Sequence, residues 1–275
     1  MNIVFLTSEA THHYYLINEI TKYHPVKKVF YQTIHLERTG WKNRFKRLAQ
    51  PKQLRFIARR VLSNILFHAD NMAQASYEKM AFFNGRDPAL DSAIPAEKIY
   101  SFNDPEVVEK VKRENPDLII VFGTDILKGE ILKIARLNIL NIHREILPKY
   151  RGGGMPFWVF YKNDFENLGV TVHICARKLD AGHIVAQKRY QLKKDDRIYT
   201  LRHKTTLLAI ELLKEVIDKY KTDTIEFTPQ KKTKLWTARK LTLVKEFKAR
   251  KNFERHIKSL GHQNDRIQRK SKAAV

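Results

Sequence analysis

Short apolar runs alternate with helix-length segments along most of the chain, and that alternation is the strongest constraint on what it can fold into. Residues 2–7 (NIVFLT) and 118–122 (LIIVF) are too short for helices and have no polar face, which is the pattern of strands covered on both sides. Further strands are expected at 28–34, 98–102 and 139–143. Between them, 14–23 places Tyr14, Ile17 and Ile20 at helical spacing. Residues 104–115 open with Asp104 as a cap and Pro105 in the first turn of a helix. Another helix is expected around 127–135. Parallel neighbours need a crossover segment, so this order implies an α/β fold. The expected architecture is an open, mostly parallel, Rossmann-like sheet with helices on both faces, binding ligands at the carboxyl ends of its strands.

Beyond 143 a loop at 148–156 contains three consecutive glycines, Gly152 to Gly154, and a helix begins at 157–161. Strands follow at 169–175 and 184–192, then an amphipathic helix at 200–219. Residues 41–83 interrupt the alternation with a long helical pattern. The resulting division is an α/β domain at 1–225, with a helical insertion at about 41–83, and a basic extension at 226–275 without clear periodicity. Within the insertion, Leu54, Ile57, Val61, Leu62, Ile65 and Leu66 fall on one helical face, while Lys52, Arg55, Arg59 and Arg60 line other positions. That apolar face requires a cover: the parent domain, a second subunit in a homodimer, or an anionic membrane surface.

The net charge of +23 is concentrated rather than spread. Residues 42–60 hold eight Lys/Arg and no acid, and 231–275 hold fifteen Lys/Arg and three acids, so these two segments carry 20 of the 23 charges. Such segments point to an anionic partner: a phosphorylated substrate, nucleic acid, a membrane surface or an acidic protein. With 43% hydrophobic residues the chain can bury a substantial core. No run of roughly 18 apolar residues is present to span a bilayer. The start lacks the basic flank and cleavage site of a signal peptide. Cys175 is the single cysteine, which excludes an internal disulfide and a cysteine metal cluster. A cytoplasmic protein, free or peripheral at a membrane, is expected.

The densest chemistry lies in three short stretches: Asn141-Ile142-His143 followed by Leu147-Pro148-Lys149-Tyr150-Arg151-Gly152, then Gly169-Val170-Thr171-Val172-His173, then Leu179-Asp180-Ala181-Gly182-His183-Ile184. Asn, His and Asp suit acyl transfer to an amine without a covalent intermediate. An amide can donate to a developing oxyanion, an imidazole titrates near neutrality, and a carboxylate can orient the imidazole and hold it protonated. His12, His13 and His183 form no convincing metal set with any pair of acids, so no metal is expected. Read singly, a strand-end Asn is most often a turn former and Thr171 and His173 are inward strand residues.

As an ordered set, these stretches resemble the folate-dependent formyltransferase superfamily over roughly residues 98–190. The resemblance implies transfer of a formyl group from 10-formyltetrahydrofolate to a primary amine. It implies catalytic roles for Asn141 (oxyanion donor), His143 (charge stabilisation and proton handling) and Asp180 (proton relay to the folate nitrogen). It implies that Gly123, Ile126 and Leu127, together with Asp180, contact the pterin ring of the donor. Arg151, Gly152 and Gly153 are the expected substrate-binding residues. Two departures bear on the acceptor. Glu145 stands where the family often has Ser, and Ser8-Glu9-Ala10-Thr11-His12-His13 replaces the Gly-Ser-Asn phosphate loop expected of a glycinamide ribonucleotide enzyme. The stretch after 220 is short for the barrel of the methionyl-tRNA enzyme, and no regulatory segment like that of the formyltetrahydrofolate hydrolases is expected before residue 1. By elimination the leading acceptor is a small, anionic amine, such as an amino sugar nucleotide. A methionyl-tRNA formyltransferase-like enzyme, a formyltetrahydrofolate hydrolase and a non-catalytic folate- or ligand-binding protein stay open as alternatives.

Overall fold

In the computed structural model, residues 1–33, 51–153 and 156–272 are described, with backbone alone for 51–53 and 262–272. Seven strands form one sheet in the order β3-β2-β1-β4-β5-β6-β7. They are β1 (Ile3–Ser8), β2 (Val26–Gln32), β3 (Ala96–Ile99), β4 (Leu118–Phe122), β5 (Asn138–His143), β6 (Gly169–Ile174) and β7 (Ile184–Arg189). The pairings from β3 through β5 are parallel, and β6 and β7 are added antiparallel. β1 and β4 lie at the centre and every residue of both is buried, which is why neither alternates in sequence.

The helices are α1 (Thr11–Thr21), α2 (Pro51–Leu66), α3 (His68–Phe83), α4 (Pro105–Arg113), α5 (Phe157–Tyr161), α6 (Leu201–Lys221) and α7 (Leu243–Lys272). On one face of the sheet, Ile3 and Phe5 pack with Leu16, Ile17 and Ile20 of α1 and with Leu213, Val216 and Ile217 of α6. Residues of opposite parity, Val4 and Leu6, pack on the other face with Val107, Val108 and Val111 of α4. Asp104 caps α4 by accepting from the Glu106 amide at 3.0 Å, as its sequence anticipates. The sheet thus reverses its winding between β1 and β4, and a crevice opens there at the carboxyl ends.

Several expectations need correcting. The strand expected at 98–102 is Ala96–Ile99, because Pro95 accepts from Val29 and sets the register with β2 two residues earlier. The helix expected around 127–135 is a single 3-10 stretch at Gly129–Lys133, opened by Gly129 in a left-handed conformation (φ 70°). The expected strand at 28–34 begins at Val26, and its last position lies outside the described residues, as do 42–50 of the first basic segment, Gly154 of the glycine loop and the last three residues of the second basic segment.

The larger surprise is α7, thirty residues long in a stretch that reads as aperiodic. Its inward positions are few and mixed in chemistry. Phe253 meets Phe160 with ring centroids 4.9 Å apart, and the Asn252 amide donates to the Phe160 carbonyl at 2.9 Å. Glu246 is buried, accepting from Arg59 at 3.2 Å and from Ser63 of α2, while Arg250 pairs with Asp70 of α3. Polar contacts therefore replace much of the apolar stripe that periodicity searches for.

The same contacts overturn the plain expectation that the apolar face of α2 packs on the parent domain. The polar side, Arg59 and Ser63, faces α7, whereas Leu54, Val61, Leu62, Ile65 and Leu66 are 44–67% exposed.

Because Phe253 is held in a buried aromatic cluster while Val244 of the same helix is exposed, truncation should separate them. Phe253→Ala should cost about 3 kcal/mol or more, and Val244→Ser less than about 0.5 kcal/mol, measured as unfolding free energies in urea. Equal effects would mean that α7 does not dock as described.

Candidate active site

The antiparallel addition of β6 to β5 decides which side chains meet at the crevice. Register sets Asn141 opposite His173 and His143 opposite Thr171. Side chains alternate along a strand, so Asn141 and His143 project to one face together with their partners. Asn141 Nδ2 lies 3.0 Å from His173 Nε2, and the His173 Nδ1–H donates to the Ile174 carbonyl at 2.9 Å.

Asp180 completes the group from the loop after β6. It is only 8% exposed and sits in the left-handed region (φ 46°). Gly182 makes that turn possible, since a Cβ there would overlap the Ile174 carbonyl oxygen. Asp180 Oδ2 accepts from the Gly152 amide at 2.9 Å and lies 3.8 Å from His143 Nδ1, and Oδ1 lies 3.6 Å from His173 Nε2. Arg151 turns its guanidinium to the Leu179 carbonyl at 2.6 Å, pinning the loop beside Asp180.

The imidazole of His143 lies between two carboxylates. Its Nε2 is 2.9 Å from the Tyr150 carbonyl and 3.5 Å from Glu145 Oε2. One N–H points at one acceptor, and the nearer carbonyl takes it. Glu145 therefore acts on His143 through charge. With Nε2–H committed, an unprotonated Nδ1 would turn its lone pair towards Asp180. Burial opposes the imidazolium, but the Glu145 and Asp180 carboxylates outweigh it and raise the His143 pKa above its usual value. Burial would raise Asp180, yet His173 and the charge of His143 hold it below the ordinary carboxylate range. Burial pushes Glu145 up and His143 offsets this only in part. Asp180 is accordingly a counter-ion of His143 on its Nδ1 side, alongside Glu145 on its Nε2 side.

The crevice above this group has a volume of about 490 Å³. Gly123, Ile126 and Leu127 wall it as expected, and Gly152 and Gly153 line its other edge. Arg151 does not line it. Among the described residues the amides of Thr124 to Leu127 donate to no protein group, so this wall offers both apolar surface and unpaired backbone donors.

Sequence reasoning passed over four residues lining or adjoining the crevice. His13 packs against Gly123, where a Cβ would overlap the ring, and its Nδ1–H donates to the Ser8 carbonyl at 2.9 Å. Burial lowers the His13 pKa to about 3, so the ring is neutral. Its place in the first turn of α1, directly after β1 at the switch of winding, is the signal that could have found it. Cys175 lines the wall with its thiol pushed up to about 12 by burial, which rules it out as a thiolate nucleophile at neutral pH. Glu145 was noticed only as a departure. Arg144 lines both this crevice and a smaller cavity of about 130 Å³ towards α3 and α6. Burial, then the positive charge of Arg202, lower its pKa to about 10. Arg202 is neutralised by Glu78 through bonds of 2.5 and 2.7 Å, but Arg144 has no carboxylate partner among the described residues. No three His, Cys, Asp or Glu side chains among the described residues are placed to share a metal ion.

A family model described as formyl transferase matches residues 71–217, more than half of the chain. The chain belongs to the formyl transferase family. It is an enzyme that transfers one-carbon formyl groups. The likeness to solved formyltransferases is one of fold. A sugar N-formyltransferase from a Shewanella species superposes with a TM-score of 0.54 at 14% identity, covering 86% of this chain and 77% of that one. Phosphoribosylglycinamide formyltransferase from Anaplasma phagocytophilum gives 0.53 at 16% identity, covering 86% and 98%. An N-formyltransferase from Helicobacter canadensis, solved with folinic acid and dTDP-3-aminofucose, gives 0.52 at 16% identity, covering 86% and 71%.

The electrostatics around His143 make a titration testable in this formyltransferase without any substrate. The wild-type imidazole should keep its proton to a pH above the ordinary histidine value of about 6.5. Removing the neighbouring negative charge in Asp180→Asn should move the midpoint down. Ring-resolved NMR titration of His143 reads both, and an unchanged midpoint would mean that Asp180 is not its counter-ion.

Proposed function

We propose that this enzyme transfers the formyl group of 10-formyltetrahydrofolate to the primary amine of a small anionic acceptor, an amino sugar carried on a nucleotide. The observation that carries the reading is the convergence of Asn141, His143 and Asp180 in one crevice between an apolar wall and an unpaired arginine. The wall at 121–127 suits a flat heteroaromatic ring: Val121, Phe122, Ile126 and Leu127 supply apolar surface, and the unpaired amides supply donors to ring heteroatoms. The Helicobacter canadensis structure, of the same fold and solved with folinic acid and dTDP-3-aminofucose, supports the choice of both substrates.

The bound donor supplies an electrophilic formyl carbon. The acceptor nitrogen forms a bond to that carbon, the carbon–nitrogen bond to the folate breaks, and the amine proton ends on the departing nitrogen. Asn141 has a second N–H beyond the one facing His173, and it can donate to the oxygen on which negative charge develops. The His143 Nδ1–H, 3.8 Å from Asp180, is loosely enough held to donate to the same oxygen. Asp180, held deprotonated, is the base that takes the amine proton and passes it on. Burial of His143 and Asp180 keeps bulk water from weakening these interactions. The residues 1–225 form the catalytic unit in this reading, with 226–275 as an extension carried on it.

Arg144 assigns the acceptor its charge. A largely buried guanidinium without a carboxylate partner beside a second arginine is stabilised by an anion between them. A phosphate on the acceptor meets that need, and it places the acceptor on the side of the crevice away from the 121–127 wall.

Formylated product followed by mass, with 10-formyltetrahydrofolate and a panel of amino-sugar nucleotides, glycinamide ribonucleotide and charged initiator tRNA, should single out an amino-sugar nucleotide. Asn141→Ala and His143→Ala should each lower its turnover by ~10²–10³-fold in folded protein. Near-normal turnover in His143→Ala would sink the mechanism.

A separate measurement tests Arg144. Arg144→Ala should raise the acceptor KM roughly ten- to hundredfold, the size of a lost hydrogen bond to a charged group, while the donor KM stays close to the wild-type value. An unchanged acceptor KM would remove the anionic-acceptor assignment and leave formyl transfer itself standing.

A further inference from the structure

The helix α2 is oriented opposite to what its amphipathic sequence calls for. Its polar residues Arg59 and Ser63 turn inward to the buried Glu246 of α7. Leu54, Val61, Leu62 and Ile65, at positions that share one face of a helix, turn outward and are 44–67% exposed, with Ala58 between them. Beyond the carboxyl end of α2, Phe247 of α7 is half-exposed, its ring 5.0 Å from that of Phe67. Contiguous apolar surface of this kind marks an interaction site rather than ordinary scattered exposure.

Charge identifies what covers it. The α2 sequence, PKQLRFIARRVLSNIL, holds four basic residues and no acid. Arg59 is bound to Glu246, but Arg55 and Arg60 are exposed and have no carboxylate partner among the described residues. A second copy docked face to face would set these charges against themselves, on a chain that already carries +23. An anionic lipid surface accepts both halves of the pattern. Leucine, valine and isoleucine side chains enter the headgroup–acyl boundary, and the arginines remain at the phosphate level.

We infer that the outward face of α2 is a docking face for an anionic lipid bilayer, on which the enzyme lies without spanning it. No helix among the described residues is long and apolar enough to cross a membrane. The inference does not depend on the acceptor, and none of these side chains lines the catalytic crevice.

The test is co-sedimentation of the full chain with phosphatidylcholine vesicles, with and without phosphatidylglycerol, at low and high salt. The protein should partition onto the phosphatidylglycerol vesicles, and high salt should weaken that partition because exposed charges are screened beyond ~10 Å at 0.1 M. Val61→Ser with Ile65→Ser should reduce binding at least about tenfold, with an unchanged circular dichroism spectrum and unchanged basal formyl transfer. Arg55→Gln with Arg60→Gln should reduce the preference for phosphatidylglycerol. Failure to bind phosphatidylglycerol vesicles, or equal binding to both vesicle types, would overturn the inference. So would full binding by the Val61/Ile65 variant, or light scattering showing a wild-type dimer that this variant converts to monomer.

Discussion

A carboxylate taken out of water has to be compensated by donors and positive charge, and the arrangement of the active site follows from how that is done for Asp180. Its compensation comes from three separate parts of the chain: the amide of Gly152, the ring of His173 on β6 and the ring of His143 on β5. None of these would be in reach if β6 were paired one residue out of register, because a single-residue slip sends every side chain to the opposite face. The left-handed turn at Asp180, the close approach of Gly182 to β6 and the Arg151 clamp on Leu179 all serve to bring one oxygen pair to that point. Disturbing any of them leaves a buried charge without partners, so the site is coupled to the packing of its whole neighbourhood.

Much of this was legible in the sequence, and the reasons differ by element. The central strands were visible because burial on both faces leaves no polar residue in Val4 to Leu6 or in Leu118 to Phe122. Asp104 and Pro105 announced α4 by local chemistry alone. The grouping of Asn141, His143 and Asp180 was legible as an ordered motif, and the structure brings these three together. The helix α7 was not legible because it docks through Glu246, Arg250 and Asn252, and periodicity counts only apolar positions. The outward face of α2 was hidden for the converse reason. Amphipathic spacing reports that a helix has two faces and is silent about which one the protein takes.

Arg151 and Arg144 illustrate the same limit at the scale of the site. Both are arginines near the glycine loop, and the motif singled out Arg151. Its guanidinium is occupied by a backbone carbonyl, a role that stiffens the loop. Arg144, adjacent to His143 and with no motif to recommend it, lines the crevice and lacks a carboxylate partner among the described residues. The residues that hold a site together can be as constrained in type as those that touch its ligands, and only the direction of the side chain separates them.

The balance of charge around the crevice is also more economical than the composition suggests. His12 and His13 stand beside Arg144 and Arg202, and a sequence count would add them to a cationic wall. Burial comes first in lowering both, with the nearby arginines adding to it, so both rings are neutral across the physiological range. Arg202 is cancelled by Glu78, leaving Arg144 as the net positive group on that side. On the other side, the carboxylates of Asp180 and Glu145 together stabilise the positive charge of His143. A chain with a large positive charge thus keeps the charges around its own active site close to balance. The rest of the excess lies along the insertion and α7, where it can meet an anionic surface without competing for an anionic substrate.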